Sequence, residues 1–185
     1  RYRHYVENIV SRLAIHYGNN PTVIGWQIDN EPGHYGVVDY SENAQAKFRI
    51  WLQKKYGTID KLNDTWGASF WSETYQNFEQ VRLPNQQEVP DKANPHAMLD
   101  LNRFMADELA GFVNMQADIL RRHIHKDQWI TTNLIPIFNP VDPVRIDHPD
   151  FLTYTRYLVT GHNQGIGSQG FRKISVSQTT SSVIA

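Results

Sequence analysis

Asn20-Pro21-Thr22-Val23-Ile24-Gly25-Trp26-Gln27-Ile28-Asp29-Asn30-Glu31-Pro32-Gly33 reads as a buried strand held between two turns. Asn20-Pro21 launches the apolar run from Val23 to Ile28, and Pro32-Gly33 stops it. A strand apolar on both faces belongs in a parallel α/β sheet. In an eightfold β/α barrel the C-terminal strand ends carry the chemistry, and this strand ends in Asp29-Asn30-Glu31.

Outward from that strand, the chain alternates helix and strand. Residues 2–17 predict an amphipathic helix, with Val6, Ile9, Val10, Leu13 and Tyr17 at helical spacing and Gly18 as its stop. Beyond Glu31, residues 32–40 form a Gly-rich loop. Ser41 then caps a helix reaching about Tyr56, with Ala44, Phe48, Trp51 and Leu52 as its buried stripe. Thr58 caps a shorter helix, Ile59 to Trp66, closed by Gly67. Residues 68–94 are long and irregular, with Phe70, Trp71, Tyr75 and Phe78 among polar neighbours; such a stretch is either a wall over a site or an aromatic loop that simply packs. Asn94-Pro95 opens the longest helix, whose apolar positions run from Leu101 to Ile124. Trp129 to Leu134 and Asp150 to Tyr154 predict two further strands, separated by a Pro- and Asp-rich loop.

The order helix, strand, excursion, helix, strand, loop, strand predicts a partial (β/α)8 TIM barrel, about strands four to six with their helices. A complete barrel takes about 250 residues, against 185 here. The expected division is a barrel segment over residues 1–160 and a Gly-, Ser- and Gln-rich irregular tail over 161–185. The chain opens on Arg1-Tyr2-Arg3-His4, inside a helical pattern and without an initiator Met, as a segment of a longer protein does. Its compartment stays open, cytoplasmic or periplasmic.

Composition narrows the function classes. With 40% hydrophobic and 20% charged residues the chain is ordinary globular protein. A net charge of −1 gives no basic footprint for nucleic acid or for an anionic membrane. The absence of cysteine excludes disulfides and thiolate metal sites. Aromatics at 12% suit a sugar site, because pyranose CH faces pack on rings, and suit a large core equally.

An Asn-Glu pair at a strand end is what cleavage of a glycosidic bond needs. Glu31 supplies a carboxylic acid to protonate the leaving oxygen, and Asn30 an amide to grip the hydroxyl beside the reacting carbon. The alternative is a pair of solvated loop residues. A lone His34 in the following loop, without partners, makes no metal site.

The stretch from 20 to 31 resembles the fourth-strand signature of glycoside hydrolase family 42 β-galactosidases. The resemblance continues collinearly through Phe48-Arg49-Ile50-Trp51-Leu52-Gln53-Lys54-Lys55-Tyr56-Gly57, Leu62-Asn63-Asp64-Thr65-Trp66-Gly67, Phe70-Trp71-Ser72-Glu73-Thr74-Tyr75, Asn94-Pro95-His96-Ala97 and Thr132-Asn133. It implies a TIM-barrel catalytic domain that hydrolyses terminal β-galactosides with retention. It places the acid/base glutamate on Glu31, a substrate-binding asparagine on Asn30 and an aromatic wall of the sugar pocket on Trp71. It implies no cofactor, a β-galactoside as partner, no nucleic acid or membrane, and a homo-oligomer, often a trimer.

Three departures qualify that expectation. Members with a structural zinc carry a cysteine cluster after the Asn-Glu pair, and residues 32–40 hold none. Many members have an aromatic residue where Pro32 follows Glu31, which leaves substrate preference open. Retention needs a second carboxylate about 5 to 5.5 Å from the first, on a later strand, and no glutamate follows Glu108. Glu73, Glu79 and Glu88 fall in the excursion, Asp107, Glu108 and Asp118 on the long helix, and Asp142, Asp147 and Asp150 in or beside a loop. The expectation is thus a chain with the acid and without the nucleophile, inactive by itself. A cellulase- or mannanase-like barrel and a non-catalytic sugar-binding remnant are the rival readings.

Overall fold

The computed structural model describes residues 2–33, 38–85, 94–135 and 141–155. His34, Glu88 and the tail over 161–185 lie outside the described residues.

The elements follow the expected order: α1 (Tyr2–Tyr17), β1 (Gly25–Gln27), α2 (Glu42–Tyr56), α3 (Ile59–Trp66), α4 (Pro95–Arg121), β2 (Trp129–Leu134) and β3 (Phe151–Tyr154), with 3-10 turns at Phe78–Gln80 and Pro143–Arg145. The three strands form one parallel sheet in the order β1-β2-β3, so the fold is α/β. Trp26 pairs with Ile130, and Thr132 with Leu152.

Local chemistry fixes the helix ends. The Ser41 side chain accepts from the Ala44 N–H, Thr58 from Lys61, and Asn94 from His96, with Pro95 at the first helical position. Gly57 and Gly67 close α2 and α3.

Successive residues of β2 alternate between faces. Ile130 packs with Ala14 of α1 and with Ala117 and Leu120 of α4, while Leu134 joins Ala110, Val113 and Ile146. Trp129, Thr131 and Asn133 therefore point to the opposite face. Gly25 lies beside Trp129 in the register, and a Cβ there would stand 2.1 to 2.5 Å from the indole carbons. The ring lies across the glycine, so β1 can pair only with a residue that lacks a side chain at that point.

A separate core fills the excursion. Phe48, Leu52, Leu62, Trp66, Val81 and Leu83 close on the N-terminal half of α4 through Ala97, Leu101 and Phe104. Beside it Asp100 is 1% exposed. Its carboxylate accepts from Lys55 Nζ, the Tyr56 hydroxyl, Trp66 Nε1 at 3.0 Å and an Arg103 guanidinium nitrogen at 3.1 Å. Four donors from three helices satisfy one buried charge.

Two sequence expectations change. α1 forms over the expected residues, but Ala14 is its only buried residue, and Ile9, Leu13 and Tyr17 are exposed. The helix meets α4 along the Val10–Ala14 side, so the wider apolar stripe has no packing partner among the described residues. β1 is shorter than the Val23–Ile28 run, and Ile24 is 71% exposed, because β1 is the edge of the described sheet.

Thr132 is fully buried on the helix-covered face, and its Oγ1 has no hydrogen-bond partner. A buried unpaired hydroxyl costs about 1–3 kcal/mol relative to an apolar group of the same shape. Thr132→Val should therefore raise the urea midpoint, by about 1 kcal/mol of stability. A lower midpoint would show that the hydroxyl is engaged.

Candidate active site

The C-terminal ends of all three strands converge on Asn133. Its Oδ1 accepts from Gln27 Nε2 of β1 at 3.1 Å and from the backbone N–H of Glu31 at 3.2 Å. Its Nδ2 donates to Asn30 Oδ1 at 3.0 Å and to the Thr155 hydroxyl, just past β3, at 2.8 Å. Parallel strands make this possible, because they deliver their C-terminal residues to one edge of the sheet.

The turn between Ile28 and Gly33 is strained. Asp29 and Glu31 both have φ of 51°, in the left-handed region, and they flank Asn30. Asp tolerates that conformation through local hydrogen bonds, whereas Glu has no such relief, and each such residue costs about 1–3 kcal/mol. Bonds on every side hold the turn. The Ile28 N–H donates to the Thr131 carbonyl at 2.7 Å. The buried Gln116 of α4 donates through Nε2 to Asp29 Oδ2 at 2.7 Å. Gly33, with φ of 79°, closes the turn where a Cβ would come within 2.9 Å of methyl groups on Leu109 and Val141. Strain held in this way is typical of functional sites.

Of the residues picked from sequence, the structure brings Asn30 and Glu31 together. Glu31 is 8% exposed, while Asn30 is exposed. Asn30 Oδ1 accepts from Asn133 Nδ2, which turns Asn30 Nδ2 away from Asn133. None of these hydrogen bonds involves Trp71. It is half-buried in the turn after α3 and meets the exposed Phe70 edge-on at 5.2 Å. Near it, burial raises the pKa of the Glu73 carboxyl, and burial followed by the Glu73 charge pushes the Tyr75 hydroxyl up to about 12.

Sequence reasoning missed Asn133, Gln27, Thr155 and Gln116 as site residues. Asn133 had one available signal, a polar residue ending a strand. Among the described residues no three of His, Asp or Glu converge as a metal site requires, and no helix is long and apolar enough to cross a membrane.

The family model described as "Beta-galactosidase", of glycoside hydrolase family 42, matches residues 1–181. The chain belongs to glycoside hydrolase family 42. Within that family it is 39% identical over 158 residues to β-galactosidase BgaA of a Thermus species, a match covering 84% of this chain and 24% of the relative. It is 36% identical over 141 residues to β-galactosidase LacZ of Heyndrickxia coagulans, covering 76% of this chain and 21% of the relative. Among solved family 42 structures, the β-galactosidase of the psychrophilic Marinomonas ef1 superposes with a TM-score of 0.78 at 37% identity, over 84% of this chain and 24% of that one. The β-galactosidase of the Antarctic haloarchaeon Halorubrum lacusprofundi superposes with a TM-score of 0.77 at 32% identity, over 84% and 23%. The chain thus spans about a quarter of the length of the family 42 relatives it matches.

Proposed function

We propose that this chain is the acid/base quarter of a retaining β-galactosidase that cleaves terminal non-reducing β-D-galactosides. The observation that carries the reading is the Asn30-Glu31 pair at the end of a parallel strand, with Glu31 buried and both residues tied to Asn133. In this reading β1, β2 and β3 are strands four, five and six of the barrel, and residues 1–160 are barrel sequence. Glu31 protonates the glycosidic oxygen while a carboxylate from outside this sequence attacks the anomeric carbon. Glu31 then takes a proton from the water that releases galactose. Asn30 Nδ2 donates to the hydroxyl oxygen next to the reacting carbon, and Trp71 walls the sugar pocket, a role the family resemblance supports. No cofactor enters the reaction, and the whole protein assembles as a homotrimer, which the resemblance alone supports.

The test is hydrolysis of nitrophenyl glycosides by a protein of family length that carries this sequence, compared with the 185-residue chain. The expected result is release from the β-galactoside by the long protein and none by the short one. Preference for a β-glucoside or β-mannoside would move the reading to a cellulase- or mannanase-like barrel. Activity in the short chain would mean that the nucleophile lies within it.

A further inference from the structure

We propose that Asn133 is a positioning residue for the reaction: its amide decides which end of the Asn30 amide faces the sugar. This rests on the β-galactosidase reading above.

The orientation of Asn133 is fixed by chemistry. A backbone N–H only donates, so the atom facing Glu31 N at 3.2 Å must be the oxygen, Oδ1. Gln27 Nε2 meets the same oxygen. Nδ2 is thereby turned to Asn30 Oδ1 and to the Thr155 hydroxyl. The side chain has two N–H donors and an oxygen with two lone pairs, and all four are used. A flip would set Nδ2 against the Glu31 N–H, donor against donor, and that bond alone fixes the orientation.

Two consequences reach the substrate. Asn30 Oδ1 is turned toward Asn133, so Asn30 presents its other end, the donor Nδ2, to the hydroxyl beside the reacting carbon. The same Asn133 oxygen holds the Glu31 main chain in its left-handed conformation. One side chain therefore orients the amide and seats the residue that carries the acid. In this role Asn133 acts through Asn30 and Glu31, the neighbours it bonds.

Asn133→Asp separates this role from a merely structural one. The substitution keeps the shape and an oxygen for Glu31 N–H and Gln27, and replaces the donor N–H2 with a second oxygen. Asn30 must then turn Nδ2 toward the introduced carboxylate and present Oδ1 to the sugar. The experiment compares the family-length protein with its Asn133→Asp, Asn30→Ala and doubly substituted forms. The substrates are a nitrophenyl β-galactoside and its 2-deoxy counterpart, and a thermal melt accompanies each protein. The expected result is a loss of about 10- to 100-fold in kcat/KM on the parent sugar, as for a small misplacement of a substrate-holding group. The 2-deoxy sugar should lose less than about 3-fold, because it lacks the hydroxyl that Asn30 grips. In the Asn30→Ala background the second substitution should add little, since neighbours acting through one contact are not additive. Equal losses on both sugars, or full additivity, overturn the positioning role.

If Asn133→Asp melts early, Thr155→Val removes one acceptor without adding charge. A smaller loss confined to the parent sugar supports the proposal, and an equal loss on both overturns it. A parent protein inert toward every β-galactoside overturns the functional reading itself, which a positioning failure in an active enzyme does not.

Discussion

Glu31→Gln, in a protein of family length, should lower kcat on an unactivated β-galactoside by about 10²- to 10⁴-fold, the usual contribution of a general acid or base. The amide has the shape of the carboxyl group, and the left-handed backbone at position 31 is held by Asn133 whichever side chain it carries. The thermal melt should therefore stay near that of the parent. What disappears is a proton that can move to the glycosidic oxygen. An aryl galactoside with an acidic leaving group needs little protonation, so its first step should suffer less than that of a sugar-sugar bond. Comparing the two substrates reads the acid role directly. Unchanged turnover on a disaccharide would remove Glu31 from it.

Asp100→Ala should have the largest effect on stability, about 2–5 kcal/mol, read as the shift of a urea melt. Lys55 and Arg103, with side chains 30% and 45% exposed, regain water when the carboxylate goes, so their ion pairs contribute little to that figure. The Tyr56 hydroxyl and Trp66 Nε1 do not. Their residues are 8% and 1% exposed, and each is left without an acceptor, at about 1–3 kcal/mol apiece. A shift under about half a kcal/mol would mean that water replaces the carboxylate.

The same cluster sets a pH dependence at both ends. Burial alone would raise the Asp100 pKa, but hydrogen bonds from Lys55, Tyr56, Trp66 and Arg103 outweigh it and hold the value below 3.8. A folded value below the unfolded one gives stability that is complete above pH 3.8 and lost as the pH falls through the folded value. At the other end, burial first and the Asp100 hydrogen bond second push the Tyr56 hydroxyl from 10.0 up to about 12. Its contribution is complete below pH 10.0 and lost as the pH rises toward about 12.

Helix boundaries were legible because capping is local. Ser41, Thr58 and Asn94 bond to N–H groups two or three residues away, and that distance is visible in sequence. The exposed side of α1 was not legible, because Ile9 and Leu13 show the right spacing wherever their partner lies. The site divides in the same way. Asn30 and Glu31 are marked by a strand that stops on polar residues. The partnership of Asn133 with Asn30 spans 103 positions and depends on the parallel register, which no local pattern encodes. Gln116 is hidden more deeply, as one polar residue on the buried side of a long helix.

At 27 residues, or about 40 Å, α4 is longer than any one core requires. Its first half is roofed by α2 and α3, its second half by α1 and the sheet, and the two groups of buried side chains share no member. The helix therefore works as a common axle for two separate cores, tied at its middle where Glu108 bonds both Lys47 of α2 and Arg3 of α1. The core of the excursion sits at one end of the axle. The strand edge that carries Asn30 and Glu31 is anchored to the other.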